Sequence, residues 1–384
     1  MGPGESVCSR VVCISCFVAA AACAADPLSA QAVMSEADAL ARLSADSPRV
    51  RAIRSGIDLA RADVLSANRW PNPRLYVGRE SVAGVTETIT TVLQPLPITG
   101  QRRFETASAT ALLEATTNRA DEGVRRARAD LRIAYADLVT AQTRERELTA
   151  ARDHLQELVG ILEKRERAGD AAAFDRLRAQ REAIDFEADR VMAGADRARA
   201  QGRLASYFAA GIEPSAIVAA SPVIAPRDLP PLGVLVDQAE RTRGEALALQ
   251  GEIEAARFAL RAAERRRVPE PEVLGGTKSS SLGAGDVGSV ISIQAVLPLF
   301  DRSGPEKARA QGRAAAAAAR LETFRIALRG EIAAWRAAAV ERRSAADRYR
   351  ASALSTAGDV ERIARGDDRA GGDDRRRFNA SREI

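Results

Sequence analysis

Few residues in this 384-residue sequence are of a type that does chemistry, and their spacing argues against most of it. The single histidine, His154, stands between Arg152-Asp153 and Leu155 in a helix-like stretch and reads as a solvated helix residue. The four cysteines, Cys8, Cys13, Cys16 and Cys23, all fall in the first two dozen residues. Cys8, Cys13 and Cys16 spell C-x₄-C-x₂-C, but the segment is apolar and no Cys or His partner follows downstream. One imidazole and at most one mature thiol cannot build a zinc site or a Cys–His nucleophile pair. The run Gly283-Ala284-Gly285-Asp286-Val287-Gly288 has the G-x-G-x-x-G form, yet it leads into a strand-like segment. Without a helix N-terminus behind it, such a run cannot seat a pyrophosphate and reads as a hairpin loop. No G-x-x-x-x-G-K-[ST] loop and no G-x-S-x-G elbow occurs. The sequence predicts no enzyme, no cofactor and no resident metal.

A different signature lies at Arg167-Ala168-Gly169-Asp170-Ala171-Ala172-Ala173-Phe174-Asp175. Gly169 offers a helix stop, Asp170 a cap, and Asp175 a negative charge for the first turn of a following helix. This is the turn of a helical hairpin, suited to contact rather than catalysis.

The elements around it are set by composition. Aromatic residues are 4% and charged residues 28%, with alanine and arginine recurring throughout. Such a chain favours long helices packed in thin layers over a thick globular core. Lys and Arg number 57 against 52 Asp and Glu, a net of +5, and the signs are interleaved. Interleaving marks solvated helix faces, and without a clustered basic patch or stacking aromatics it excludes nucleic acid as a partner. At the N-terminus, Arg10 precedes the apolar run Val11 to Ala22, and Ala22-Cys23-Ala24 offers a cleavage site, the pattern of an export signal over 1–24. Ala20-Ala21-Ala22-Cys23 also fits a weak lipoprotein box with Cys23 as the acylated residue; both readings stay open.

The chain repeats itself. A first copy spans 25–212, a Pro-rich connector 213–231, and a second, incomplete copy 232–360. Arg69-Trp70-Pro71-Asn72-Pro73 in copy one matches Arg267-Val268-Pro269-Glu270-Pro271 in copy two, and Pro95-Leu96-Pro97 to Gly100 matches Pro298-Leu299-Phe300 to Gly304. In each copy the paired prolines stop a helix and begin an extended segment. Alternation in Ile291-Ser292-Ile293-Gln294-Ala295 and the β-branched run Thr86 to Leu93 predict two strands per copy. Four strands cannot close a barrel within one chain, whereas several chains contributing four each can.

The helix of copy one is predicted from Arg102 to Arg167, ~100 Å long. Leu131, Ala134, Leu138, Ala141, Leu148, Leu155, Val159 and Leu162 form a coiled-coil seam, interrupted in register by Glu145 and Arg152. The return helix from Phe174 is expected to pack through Ile184, Ala188, Val191, Ala195, Ala198, Gly202 and Ala205, and copy two through Ala314 to Ala319, Ile332 and Trp335. From Arg365-Gly366-Asp367-Asp368 onward the apolar pattern stops, so 361–384 reads as a disordered or frame-shifted tail.

With these residues in place, the chain resembles the TolC-type outer-membrane efflux proteins, most closely the outer-membrane components of heavy-metal cation efflux systems. The resemblance covers about Ser35 to Val360 and rests on Gly100-Gln101-Arg102-Arg103, Pro298-Leu299-Phe300-Asp301-Arg302 and the Gly169 to Asp175 turn. It implies a mainly α fold with a small β part. Long antiparallel hairpins would form a periplasmic tunnel, and four strands per protomer would enter a trimeric, twelve-stranded outer-membrane barrel. It further implies a homotrimer in outer-membrane lipid, a passive exit duct for metal cations or small toxic compounds. Arg167, Gly169, Asp170 and Asp175 would meet a periplasmic adaptor docked on an inner-membrane pump. The alternatives are a periplasmic adaptor with a coiled-coil hairpin, which lacks strand pairs within each copy, and a soluble coiled-coil scaffold, which leaves the export signal unexplained.

Overall fold

The computed structural model describes residues 33–380 apart from 170, 171, 210, 222–226 and 284, with side-chain surroundings described to residue 352 and at Thr356. The export segment, with Cys23, lies outside the described residues. In chain order the elements are β1 (Val33–Met34), α1 (Glu36–Arg42), α2 (Pro48–Ala67), β2 (Arg74–Val82), β3 (Val85–Pro95), α3 (Gln101–Arg167) and α4 (Ala173–Ala205). There follow β4 (Val218–Ala219), α5 (Leu232–Thr242), α6 (Gly244–Arg265), β5 (Pro271–Ser280), β6 (Val287–Ala295) and α7 (Gly304–Ala380). The fold class is the expected one, mainly α with a small antiparallel sheet.

Local chemistry places the boundaries. The Ser47 hydroxyl accepts from the Val50 N–H at 3.3 Å, and Pro48 occupies the first turn, so α2 starts there. The two longest helices start alike: Gly100 precedes α3 with φ +80° and Ser303 precedes α7 with φ +58°. In copy two the left-handed bend falls on a residue with a Cβ, at a cost of about 1–2 kcal/mol. The Asp301 carboxylate offsets part of it by accepting from the Ser303 N–H at 2.9 Å.

Two compact units cut across the sequence copies. Among the described residues, one holds 33–39 and 134–221, the other 40–133 and 227–380. In the first, β1 and β4 pair in parallel, Val33 with Val218 and Met34 with Ala219. Buried Tyr135 on α3 directs its hydroxyl to two carbonyls, of Met34 at 2.9 Å and of Ala220 at 2.7 Å. Gln142 accepts from the Ala219 N–H, and Gln201 donates to the Ile217 carbonyl at 2.9 Å.

Between α3 and α4 run four ion pairs: Asp137 with Arg203 at 2.7 Å, Glu145 with Arg197 at 2.7 Å, Arg152 with Glu187 at 3.4 Å, and Glu166 with Arg176. Numbers rise on α3 as they fall on α4, which marks an antiparallel hairpin. Glu145 and Arg152, the charges that interrupt the apolar seam, are the α3 members of two of these pairs. Leu138 is buried, and Ala141, Leu148, Leu155, Val159 and Leu162 are half-buried, as the seam requires.

The expected seam of the return helix does not face α3. Ile184, Ala188, Val191, Ala195, Ala198 and Gly202 face outward, Ile184 at 69% exposure, and Ala205 alone is half-buried. The buried side of α4 is Ala179, Ala183, Ala193, Ala200, Gln201 and Leu204. Small apolar residues occupy both sides of α4, so the positions of Arg176, Glu187, Arg197 and Arg203 decide which side meets α3.

In the second unit, α7 buries Ala310, Ala317, Leu321 and Leu328 at heptad spacing, and Leu321 packs with Ala246 and Leu249 of α6. Of the expected contacts in copy two, Ala317 is buried, Ile332 half-buried and Trp335 63% exposed. Deeply buried Glu122 of α3 pairs with Arg125, Arg126 and Arg243 and accepts from the Gly244 N–H at 3.3 Å, serving as the N-terminal cap that α6 lacks. A Cβ at Gly244 would lie 2.1 Å from the Asn118 carbonyl oxygen, so only glycine permits this approach. The backbone of α7 stays helical to Ala380 through the segment expected to be irregular. Arg, Ala and Asp there supply no apolar stripe, but no proline stops the helix.

Two consequences are testable. Gly244→Ala is expected to lower stability by about 1–3 kcal/mol in a thermal melt followed by circular dichroism, because backbone has to move. The Glu187 carboxyl is held below the usual carboxylate range by its hydrogen bond from Arg190 and by the Arg152 charge. Its stabilising contribution is present above the ordinary glutamate range and is lost as pH falls through the lowered value. Glu187→Gln is therefore expected to flatten the acid limb of a stability–pH profile while leaving the alkaline limb unchanged.

Candidate functional site

The hairpin turn opens on backbone hydrogen bonds. Ala168 N–H donates to the Lys164 carbonyl at 3.1 Å and Gly169 N–H to the Glu166 carbonyl at 3.0 Å, with Gly169 at φ +80° ending α3. Asp170 lies outside the described residues. The chain re-enters helix through extended Ala172, which makes no side-chain cap, and the exposed Asp175 supplies the negative charge in the first turn of α4. Arg167 is 77% exposed at its side chain and pairs loosely with Glu163 at 3.7 Å. Arg176 closes the turn on Glu166, whose hydrogen bond raises the guanidinium pKa above its ordinary value. Arg167, Gly169 and Asp175 thus share one exposed turn, with no bond among them.

Sequence reasoning passed over the apolar residues there. Phe174 is 70% exposed and Leu177 55%, while Leu158 and Ile161 near the end of α3 are also exposed. A phenylalanine in the first turn of a helix, with Leu177 three residues on, was the available signal. Exposed apolar side chains thus stand beside exposed charged ones at this end of the hairpin. His154 is exposed on α3. Among the described residues, no three His, Cys, Asp or Glu side chains gather as a metal site would require.

The second candidate surface is the sheet, of order β2-β3-β5-β6 and antiparallel throughout. Residues directly opposite each other point the same way, so the register sorts the side chains into two faces. One face carries Leu75, Val77, Thr88, Thr90, Val92, Thr277, Val287, Ile291 and Ile293, and its only charge is Arg79. The expected alternation in β6 is met, with Ile291, Ile293 and Ala295 on this side and Ser292 and Gln294 on the other. The opposite face carries the other charges of the strands, Arg74, Glu80, Glu87, Glu272 and Lys278, with Gln294, beside the apolar Tyr76, Ile89, Leu93, Leu274 and Val290. There Arg74 pairs with Glu272, to which Gln294 also donates, and Lys278 pairs with Glu87 at 2.7 Å. The apolar face is bare: Ile291 is 81% exposed. Among the described residues, β2 and β6 each have one edge without a partner strand. No helix among the described residues is long and apolar enough to cross a membrane.

Neither a family model nor a curated relative matches the sequence. Solved structures do match its fold. The outer membrane protein VceC from Vibrio cholerae aligns with TM-score 0.62 and 17% identity, over 76% of this chain and 75% of that one. The outer-membrane channel OprN aligns with TM-score 0.58 and 21% identity, over 82% and 78%. CusC, described in terms of folding and transmembrane channel formation, aligns with TM-score 0.52 and 16% identity, over 83% and 79%. This chain therefore has the fold of the TolC-type outer-membrane channels.

Proposed function

We propose that the chain is one subunit of a homotrimeric outer-membrane channel, the passive exit duct of a tripartite efflux system. One observation carries the reading: a four-stranded sheet has an uncovered apolar face and two open edges. In lipid each unpaired backbone group costs several kcal/mol, so such a sheet is stable only when closed. Three copies joined β2 to β6 give twelve strands, with the apolar face toward lipid and the charged face lining water. The outward stripe of α4, from Ile184 to Gly202, is apolar and mostly small, suited to pack against a neighbouring copy. Arg167, Gly169, Asp170 and Asp175, with Phe174 and Leu177, form the surface for a periplasmic adaptor docked on an inner-membrane pump. The energy comes from that pump. The resemblance to heavy-metal systems favours metal cations as cargo, with small toxic compounds as the alternative, and Cys23 is the residue an acyl anchor would use.

Fractionation of the tagged chain in a Gram-negative host, with crosslinking, tests this directly. A trimer in the outer membrane is the expected result; a soluble monomer overturns the reading. Ile291→Arg is expected to abolish membrane assembly, since a lipid-facing arginine costs about 2–4 kcal/mol at mid-depth. Ser292→Arg, one residue on and on the other face, is expected to assemble normally. Phe174→Asp is expected to reduce adaptor crosslinking at least several-fold while leaving the trimer intact.

A further inference from the structure

The charged face of the sheet does not balance. Within the strands it carries two cations, Arg74 and Lys278, and three carboxylates, Glu80, Glu87 and Glu272. Arg74 is taken by Glu272 and Lys278 by Glu87. Glu80 is left over. It stands on β2 directly opposite Glu87, a like-charge cross-strand pair that disfavours the sheet. Among the described residues no cation lies within ion-pair distance of it.

Assembly does not supply the missing charge. Glu80 lies on the open edge strand, so in a closed barrel its other neighbour is β6 of the next copy. On the same face β6 presents Gly288, Val290, Ser292 and Gln294, and no residue from Val287 to Ala295 is charged. The β5–β6 loop adds only the negative Asp286. The one nearby cation, Arg79, belongs to the opposite face. Each copy therefore brings one uncompensated carboxylate to the wall of the lumen, close to the β2–β3 turn at Ala83 and Gly84.

We infer that Glu80 gives the lumen of the barrel a preference for cations. The inference rests on the channel reading and names the residue that sets its charge selectivity. Three such carboxylates at one level repel anions across the lumen when the screening length is comparable to the pore. That holds near 0.01 M salt, where the Debye length is about 30 Å, and fails near 1 M, where it is about 3 Å.

The test is reversal potential in a KCl gradient, with the full chain reconstituted in planar lipid bilayers. The wild-type protein is expected to favour K⁺ over Cl⁻ at low salt and to lose that preference at high salt. Glu80→Gln is expected to lower the low-salt permeability ratio about two-fold or more, and Glu80→Lys to reverse it. Arg79→Gln, on the lipid face at the same level, is expected to leave the ratio unchanged. Channels with the same ratio in wild type, Glu80→Gln and Glu80→Lys would overturn the inference while keeping the channel reading. Outer-membrane trimers that conduct nothing would overturn the channel reading and the inference with it.

Discussion

The constraint on which the rest depends is the backbone of two edge strands. β2 and β6 each leave a row of N–H and C=O groups without strand partners, and the face beside them is apolar. Water satisfies such an edge only if the apolar face tolerates water as well, and Ile291 and Ile293 do not. The proposed strand-to-strand closure among copies within a bilayer would meet both needs at once. The charged face follows from the same closure. Arg74 pairs with Glu272 and Lys278 with Glu87 on that side of the sheet, which leaves Glu80 as its one unbalanced charge.

Away from the sheet, the helices are organised by charge as much as by apolar contact. The α3–α4 hairpin uses small side chains, which bury little area per residue, so its register is fixed by ion pairs from Asp137–Arg203 to Glu166–Arg176. Most of these are partly exposed, and each contributes modestly to stability. Their value is directional. With alanine on both sides of α4, only the charged residues distinguish the face toward α3 from the face turned outward.

That distinction explains what the sequence did and did not disclose. The paired prolines at Pro71–Pro73 and Pro269–Pro271, the period of two in β6 and the α3 seam were legible because each is a local pattern with a local cause. Which side of α4 meets α3 was not legible, because alanine periodicity is degenerate and the choice depends on partners such as Glu145 and Asp137, far away in the chain. Glu122 capping Gly244 was hidden for the same reason: the cap comes from another helix, and α6 begins after Arg243 with no capping side chain of its own. At the hairpin turn the backbone signal, Gly169, was plain, while the apolar residues that enlarge the surface, Phe174 and Leu177, were read only as helix.

The order of the sheet bears on how the protein is made. β3 of the first copy finds its inner partner in β5 of the second, Glu87 with Ser280 and Pro95 with Glu272. The β2–β3 hairpin is therefore complete in the chain well before its partner, with α3, α4 and the connector standing between them. Until β5 is present the β2–β3 hairpin has no partner for its inner edge, so the sheet cannot form until the intervening 175 or so residues have been made.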